Sequence, residues 1–226
     1  MSLSGKVVLI AGGAGALGQA VTPAFSQAGA KVVILERHPP DHLPDGQMAV
    51  PADVTDADQV QRAVAEVIHK AGNLDVLVNL VGGFGSGNIE DTEVSIWQKM
   101  LTMNLTSAFL LSKAVMPHMR KKGSGRLLHI AARAALDPFP GAGAYLVAKS
   151  GLLALIRVLA LELAGSGVTI NGALPTTIDT PANRMSMPDA DSSQWVKPVS
   201  ITQLLVFLAS DEARELNGAL IPIGPR

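Results

Sequence analysis

The sequence predicts an α/β fold, a doubly wound parallel sheet flanked by helices on both faces, in three layers. Three observations carry this expectation. Unbroken apolar runs of strand length recur along the chain, helical patterns lie between them, and a glycine-rich turn joins the first run to the first helix. Strands covered on both faces by crossover helices read as continuous Val/Ile/Leu runs and not as alternating ones. Regular alternation of strand and helix is what a parallel sheet needs to connect its edges.

The elements follow in order. KVVLIAG (6–12) reads as the first strand and Gly15–Gln27 as the helix after it. KVVILE (31–36) is the next strand, and the region ending at Asp53 in PADVTDAD another. Asp58–Ala71 places Ala63, Val64, Val67, Ile68 and Ala71 on one helical face. LDVLVNLVG (74–82) leads to a helix over Ile96–Arg120, with Pro117 near its end and Trp97 packing its start. GRLLHIAA (125–132) precedes a helix over Tyr145–Ala164, and His129 falls near the end of that strand. GVTINGAL (167–174) precedes a shorter helix, Ile201–Ala209. No internal repeat or low-complexity linker interrupts the chain, so residues 1–226 form one domain. The tail LIPIGPR is assigned no place by its pattern; a subunit boundary is one option.

Composition narrows the function classes. Apolar residues make up 48% and charged ones 16%, which describes a folded chain with a substantial core. A formal net charge of −1 argues against nucleic acid, whose phosphates call for a basic face. The chain has no cysteine, which removes disulfides and thiolate metal sites and suits a cytoplasmic protein. The five histidines are scattered, with no pair at metal-ligand spacing, so no metal is expected. MSLSGKVVLIAGG lacks a signal-peptide pattern. The most apolar stretch, GLLALIRVLALELAG, is broken by Arg157 and Glu162 before the roughly 20 residues a membrane span needs, so no membrane partner is expected.

Chemistry concentrates at the strand ends. AGGAGALG (11–18) puts small residues where a backbone must approach a pyrophosphate, with a helix N-terminus directly behind. Glu36 ends the second strand, 18 residues beyond Gly18, about where a carboxylate accepts hydrogen bonds from an adenosine ribose. That charge would repel a 2′-phosphate, so NADH is favoured over NADPH, while the neighbouring Arg37 keeps the preference from being exclusive. Asp53 either reaches the adenine edge or caps the next helix, as Asp56 also can. Asn79 and the Gly82–Gly83 pair end the strand along which the second half of the cofactor would pass. Tyr145, the sole tyrosine, stands one helical turn from Lys149. An ammonium beside a phenol favours phenolate and lowers a pKa of about 10, making a proton donor or acceptor useful near neutral pH.

Together AGGAGALG, LERH, ADVTD, NLVGG, TMNLTSAF, YLVAK and INGALPTTIDTP resemble the short-chain dehydrogenase/reductase family over essentially the whole chain. The resemblance implies a Rossmann-like fold, a nicotinamide cofactor at the C-terminal edge of the sheet, and a small-molecule substrate. Of the family's Asn, Ser, Tyr and Lys, it maps Asn104, Tyr145 and Lys149, and the serine position falls on Ala132. Asn104 would position a water or the helix that carries it. Cofactor contacts are implied at Gly12, Gly15, Ala16, Leu17 and Gly18, with Ala16 in place of the usual second glycine. They extend to Glu36, Arg37, Asp53 and Val54, then to Asn79, Val81 and Gly82, where Leu80 and Val81 depart from the usual N-N-A-G. Pro175, Ile178 and Thr180 complete the set, and the substrate side takes Phe84, Ala132 and Arg133.

Within that family, GGAGALG, LVGGFGSGN, RAALDPFPGAGAYLVAK and LPTTIDTPANRMSMPDADSSQW are most similar to the dihydropteridine reductase branch. That branch reduces quinonoid dihydropterin with NADH, carries a small residue at the serine position, and has a tryptophan where Phe84 stands. A serine hydroxyl stabilises the alkoxide that forms on a simple carbonyl. A conjugated, electron-poor ring spreads the incoming charge and needs such a donor less, so Ala132 reads as an adaptation. The alternatives are a general short-chain carbonyl reductase, with Arg133 or an ordered water standing in for serine, and a non-catalytic dinucleotide sensor. The stretch Thr180–Pro198, with Trp195, reads as a substrate lid or a plain loop. The apolar helices near 102–120 and 145–164 read either as well-buried or as the interface of a homodimer or homotetramer.

Overall fold

A computed structural model of the chain describes residues 1–40, 42–44 and 47–225. Its centre is a seven-stranded sheet: β1 Val7–Ala11, β2 Lys31–Glu36, β3 Met48–Pro51, β4 Val76–Asn79, β5 Gly125–Ile130, β6 Val168–Pro175 and β7 Leu220–Ile223. All pairings are parallel, in the order β3-β2-β1-β4-β5-β6-β7. The chain winds outward from β1 to one edge and from β4 to the other. The crevice where the order reverses, between β1 and β4, is where such sheets hold ligands.

Two cores explain why β1, the central strand, is apolar at every position. Val7, Leu9 and Ala11 of β1 face one core, while Val8 and Ile10 face the other. The first core is covered by α2 (Ala57–Ala71), α4 (Ser107–Lys122) and α5 (Gly143–Glu162). The second is covered by α1 (Gly18–Gln27) and α7 (Pro198–Ala209). The Asp56 side chain caps α2 by accepting from the amides of Asp58 and Gln59, and Gly72 ends that helix in the left-handed region at φ +78°. Asp53 is not the cap. Its Oδ1 accepts from the amide and hydroxyl of Thr55 instead.

Several elements differ from expectation. The tail forms β7 and pairs with β6, Gly172 opposite Leu220, so it completes the sheet edge. The helix expected over Ile96–Arg120 is three pieces: α3 (Val94–Leu101), a π-helical turn over Thr102–Thr106, and α4. Pro117 lies inside α4, which runs on to Lys122. The expected lid contains a short helix, α6 (Pro181–Ser186), and a 3-10 turn at Ser192–Gln194. Among the described helices α5 has the length and apolarity of a membrane span, yet half of it is buried inside the fold as a core helix.

Candidate active site

The glycine turn forms one wall of a cleft of about 580 Å³ at the C-terminal edge of the sheet. Gly12 has φ +82°, and a Cβ there would meet the backbone of Val81 at 3.3 Å. A Cβ on Gly18 would lie 2.3 Å from the carbonyl oxygen of Gly13. Side chains at these points would close the cradle. No side chain caps α1, and while the Gln19 and Ala20 amides turn back to Gly15 O and Leu17 O, those of Ala16 to Gly18 are left for an anionic group. Glu36 ends β2 at the rim and accepts from the Ala14 amide at 2.8 Å. These features fit a dinucleotide, with amides for the pyrophosphate and a carboxylate for the ribose.

The structure brings most of the expected cofactor residues together. Gly12, Gly15, Ala16, Leu17, Gly18, Glu36 and Arg37 line the cleft, with Val81, Gly82, Ile178 and Thr180 opposite. Ala14, His38, Leu80 and Asn183 also line it, without any expectation from the sequence. Four expected residues do not. Asp53 is committed to Thr55 and stands 3.8 Å from Arg37. Val54 belongs to the core beneath α2, and Pro175 is buried in the last turn of β6. Asn79 turns inward, because its amide bridges the Val81 N–H and the buried His129 ring.

Tyr145 lies in the first turn of α5 with Phe84 against it, ring centroids 5.1 Å apart in an edge-to-face arrangement. Phe84 is itself 63% exposed, so the pair forms an apolar lip open to solvent. Lys149 is buried; its Nζ donates to Ile130 O at 2.9 Å and lies 6.0 Å from the Tyr145 ring centre. A Cβ on Gly82 would stand 3.1 Å from that Nζ and 2.9 Å from Asn104 Oδ1, so the ammonium, the amide and the β4 exit converge.

Asn104 occupies the π-helical turn. Its Oδ1 accepts from the Gly83 amide, and its Nδ2 donates to the carbonyls of Gly83 and Met100. Expected to position a water or its own helix, it pins the Gly82–Gly83 loop to the π-turn from both sides. Such turns recur at functional sites because they re-aim a side chain within a continuous helix.

The electrostatics correct one expectation. Burial pushes the Tyr145 phenol up to about 12, and no lowering by Lys149 offsets it. Burial also lowers Lys149, to about 8. At neutral pH the phenol therefore keeps its proton and stands ready as a donor. Arg133 Nε bonds the exposed Asp137 at 2.9 Å, which leaves the terminal NH₂ groups of the guanidinium with their donors. Ala132 is buried just beyond β5 and offers only a methyl group. The stretch 180–198 is tethered through Asp179, whose carboxylate accepts from both Arg184 and Lys197. The Val196–Ile178 bridge fixes its far end beside the half-buried Trp195. Trp97 packs with Met100, Ala144 and Ala148 beneath Tyr145. Among the described residues no group of His, Asp or Glu is placed to hold a metal.

Comparison with known proteins agrees with this architecture. A family described as short chain dehydrogenase matches residues 6–191. The chain is 32% identical to a 2,5-dichloro-2,5-cyclohexadiene-1,4-diol dehydrogenase of Sphingobium indicum, covering 98% of this chain and 95% of that protein. It is 30% identical to a 3-oxoacyl-[acyl-carrier-protein] reductase of Thermotoga maritima, covering 99% and 98%. A 3-ketoacyl-(acyl-carrier-protein) reductase from Brucella melitensis, solved with NADH, superposes with a TM-score of 0.88 at 27% identity, covering 99% and 98%. The protein ElxO, solved with NADP, gives 0.90 at 25% identity, covering 96% of each chain. These relatives are dehydrogenases and reductases of varied substrates, none of them named for a pteridine, and the two structures hold different nicotinamide dinucleotides. By sequence and by fold, the chain belongs to the short-chain dehydrogenase family.

Proposed function

We propose that the protein is an NADH-preferring oxidoreductase that interconverts a carbonyl and a hydroxyl on a small substrate, with Tyr145 passing the proton. The observation that carries this is the placement of Tyr145, between the exposed Phe84 ring and the buried Lys149, beside the glycine-lined cleft. The nicotinamide supplies or accepts the hydride when bound. Tyr145 Oη donates to the oxygen of the substrate as it becomes a hydroxyl, a role that suits a phenol kept protonated by burial. Lys149, held on Ile130 O, keeps its other donors for the phenol and a ribose hydroxyl. Asn104 keeps the Gly82–Gly83 loop open at the width the cofactor needs. Glu36 supports the preference for NADH, since its carboxylate suits a 2′-hydroxyl and repels a 2′-phosphate.

A second reading, reduction of a quinonoid dihydropterin or a similar conjugated imine, is favoured by Ala132. The position offers no donor for an alkoxide, and the exposed Phe84 ring against Tyr145 offers a flat ring an aromatic surface. This reading takes the reaction to be cytoplasmic, as a cysteine-free chain suits, and the protein to be a homodimer or homotetramer. Phe109, Val147, Val158 and Leu161 on α4 and α5 are exposed apolar side chains in support of that assembly.

NADH consumption with simple ketones, keto esters and quinonoid dihydropterin, each with wild type and Tyr145→Phe, tests the proposal. Turnover on carbonyl acceptors that falls about 10²–10⁴-fold in the variant supports the main reading. Turnover confined to the pterin supports the second. Dinucleotide binding with no turnover on any acceptor would leave the protein a sensor.

A further inference from the structure

Three polar side chains stand in line beneath the cofactor cleft, each almost wholly buried: Asn79, His129 and Ser112. Asn79 Oδ1 accepts from the Val81 amide at 3.0 Å, which fixes the orientation of the Asn79 amide. Its Nδ2 therefore faces His129 Nδ1, at 3.2 Å. An NH₂ group only donates, so Nδ1 must present a lone pair. The imidazole proton is then on Nε2, where it points to Ser112 Oγ at 3.1 Å. Each link dictates the next, and one tautomer satisfies the line.

A histidine inside a sheet often does no more than satisfy its partners. Here the line ends on the backbone of Val81, which lines the cleft and stands where a Cβ on Gly12 would meet it at 3.3 Å. The opposite tautomer would set Nδ1–H against Nδ2–H. The Asn79 amide would then have to rotate, and the Val81 amide would lose its acceptor. We propose that His129 is a positioning residue for the dinucleotide, holding the β4 exit, Leu80 to Gly82, at its spacing from the glycine turn through Asn79. This rests on the dinucleotide reading above. Burial and the nearby Lys149 ammonium push the imidazole down to about 3, so the line stays intact across the neutral range.

The test has two arms. Nitrogen NMR of the wild-type imidazoles, with and without NADH, reports the tautomer, and the expected result is Nε2–H for His129. An Nδ1–H signal overturns the proposal. Fluorescence titration with NADH and NADPH, alongside thermal melts, compares wild type with His129→Leu, His129→Asn and Ser112→Ala. His129→Leu strands the Asn79 donor and is expected to weaken dinucleotide binding about tenfold. His129→Asn, which still offers an acceptor, is expected to recover most of that loss. Ser112→Ala, remote from the cleft, is expected to weaken binding about threefold by loosening the imidazole. A His129→Leu variant that melts lower yet binds dinucleotide like wild type makes His129 a core residue only and overturns the proposal. If that variant does not fold, unchanged affinity in Ser112→Ala overturns it. A wild type that binds neither dinucleotide overturns the functional reading as well, which separates the two failures.

Discussion

Lys149 Nζ donates to the carbonyl of Ile130 at 2.9 Å, so the helix that carries Tyr145 is bolted to the strand end that leads into Ala132. The proton donor and the corner without a serine are thus held in one rigid frame. The buried ammonium and the Ser150 hydroxyl, which donates to Ala135 O, tie the two together, and substitutions around this frame have directional consequences.

Ala132→Ser restores the hydroxyl that the wider family uses. If the substrate is a simple carbonyl, turnover is expected to rise, by up to about tenfold, since one well-placed oxyanion donor is worth more than that in sites built around it. If the substrate is a conjugated imine, the added hydroxyl brings no gain and crowds the ring. Steady-state kinetics on both acceptor classes reads the difference directly.

Glu36→Gln keeps a side-chain oxygen for the Ala14 amide but removes the charge. The ratio of NADPH to NADH affinity is expected to rise about tenfold, the worth of one charge-assisted hydrogen bond plus a lost repulsion. Arg37, 70% exposed at its side chain and loosely paired with Asp53, is free to swing to a 2′-phosphate. Parallel titrations with the two dinucleotides check this, and an unchanged ratio would remove Glu36 from the ribose.

Stability should depend on pH through two buried groups, His129 and Lys149, and the half-buried Tyr145. His129 has a folded pKa near 3 against 6.5 unfolded, so the unfolded chain takes up the proton first. Stability is expected to fall as pH drops from 6.5 toward 3, by about 1.4 kcal/mol per pH unit for that proton. The acid limb should flatten in His129→Asn. Lys149, lowered from 10.5 to about 8, acts in the same direction at higher pH: the unfolded chain holds its proton longer, so stability rises between pH 8 and 10.5. Tyr145, raised from 10.0 to about 12, removes stability between those values as the unfolded phenol ionises first. Denaturant titrations across pH resolve the three slopes.

Gly18→Ala tests the cradle. A methyl group 2.3 Å from the Gly13 carbonyl oxygen cannot be accommodated without moving backbone. The variant is expected to lose about 1–3 kcal/mol of stability and most of its dinucleotide binding. Gly72→Ala is the control for strain alone, since Gly72 has φ +78° but open space around its Cβ position. It should cost stability and leave binding intact.

The amino-acid sequence by itself determined the layers and the working ends of the central strands. Runs such as VVLIA and VVIL are apolar without alternation because both faces of β1 and β2 are covered. The glycine turn, Glu36, and the one-turn spacing of Tyr145 and Lys149 follow from local chemistry that needs no distant partner. Short edge strands were harder to read: β3 and β7 have four residues each, and each carries a proline, Pro51 and Pro222, which speaks against a strand. Only the tertiary structure decided what each polar group faces. Asn79 looked like a cofactor ligand until His129, 50 positions away, took its amide. The phenol looked acidified by its neighbour until burial pushed it up. Periodicity is a property of neighbours along the chain. Desolvation and hydrogen-bond partnership belong to neighbours in space, and at this site they decide which groups can react and which only hold the others in place.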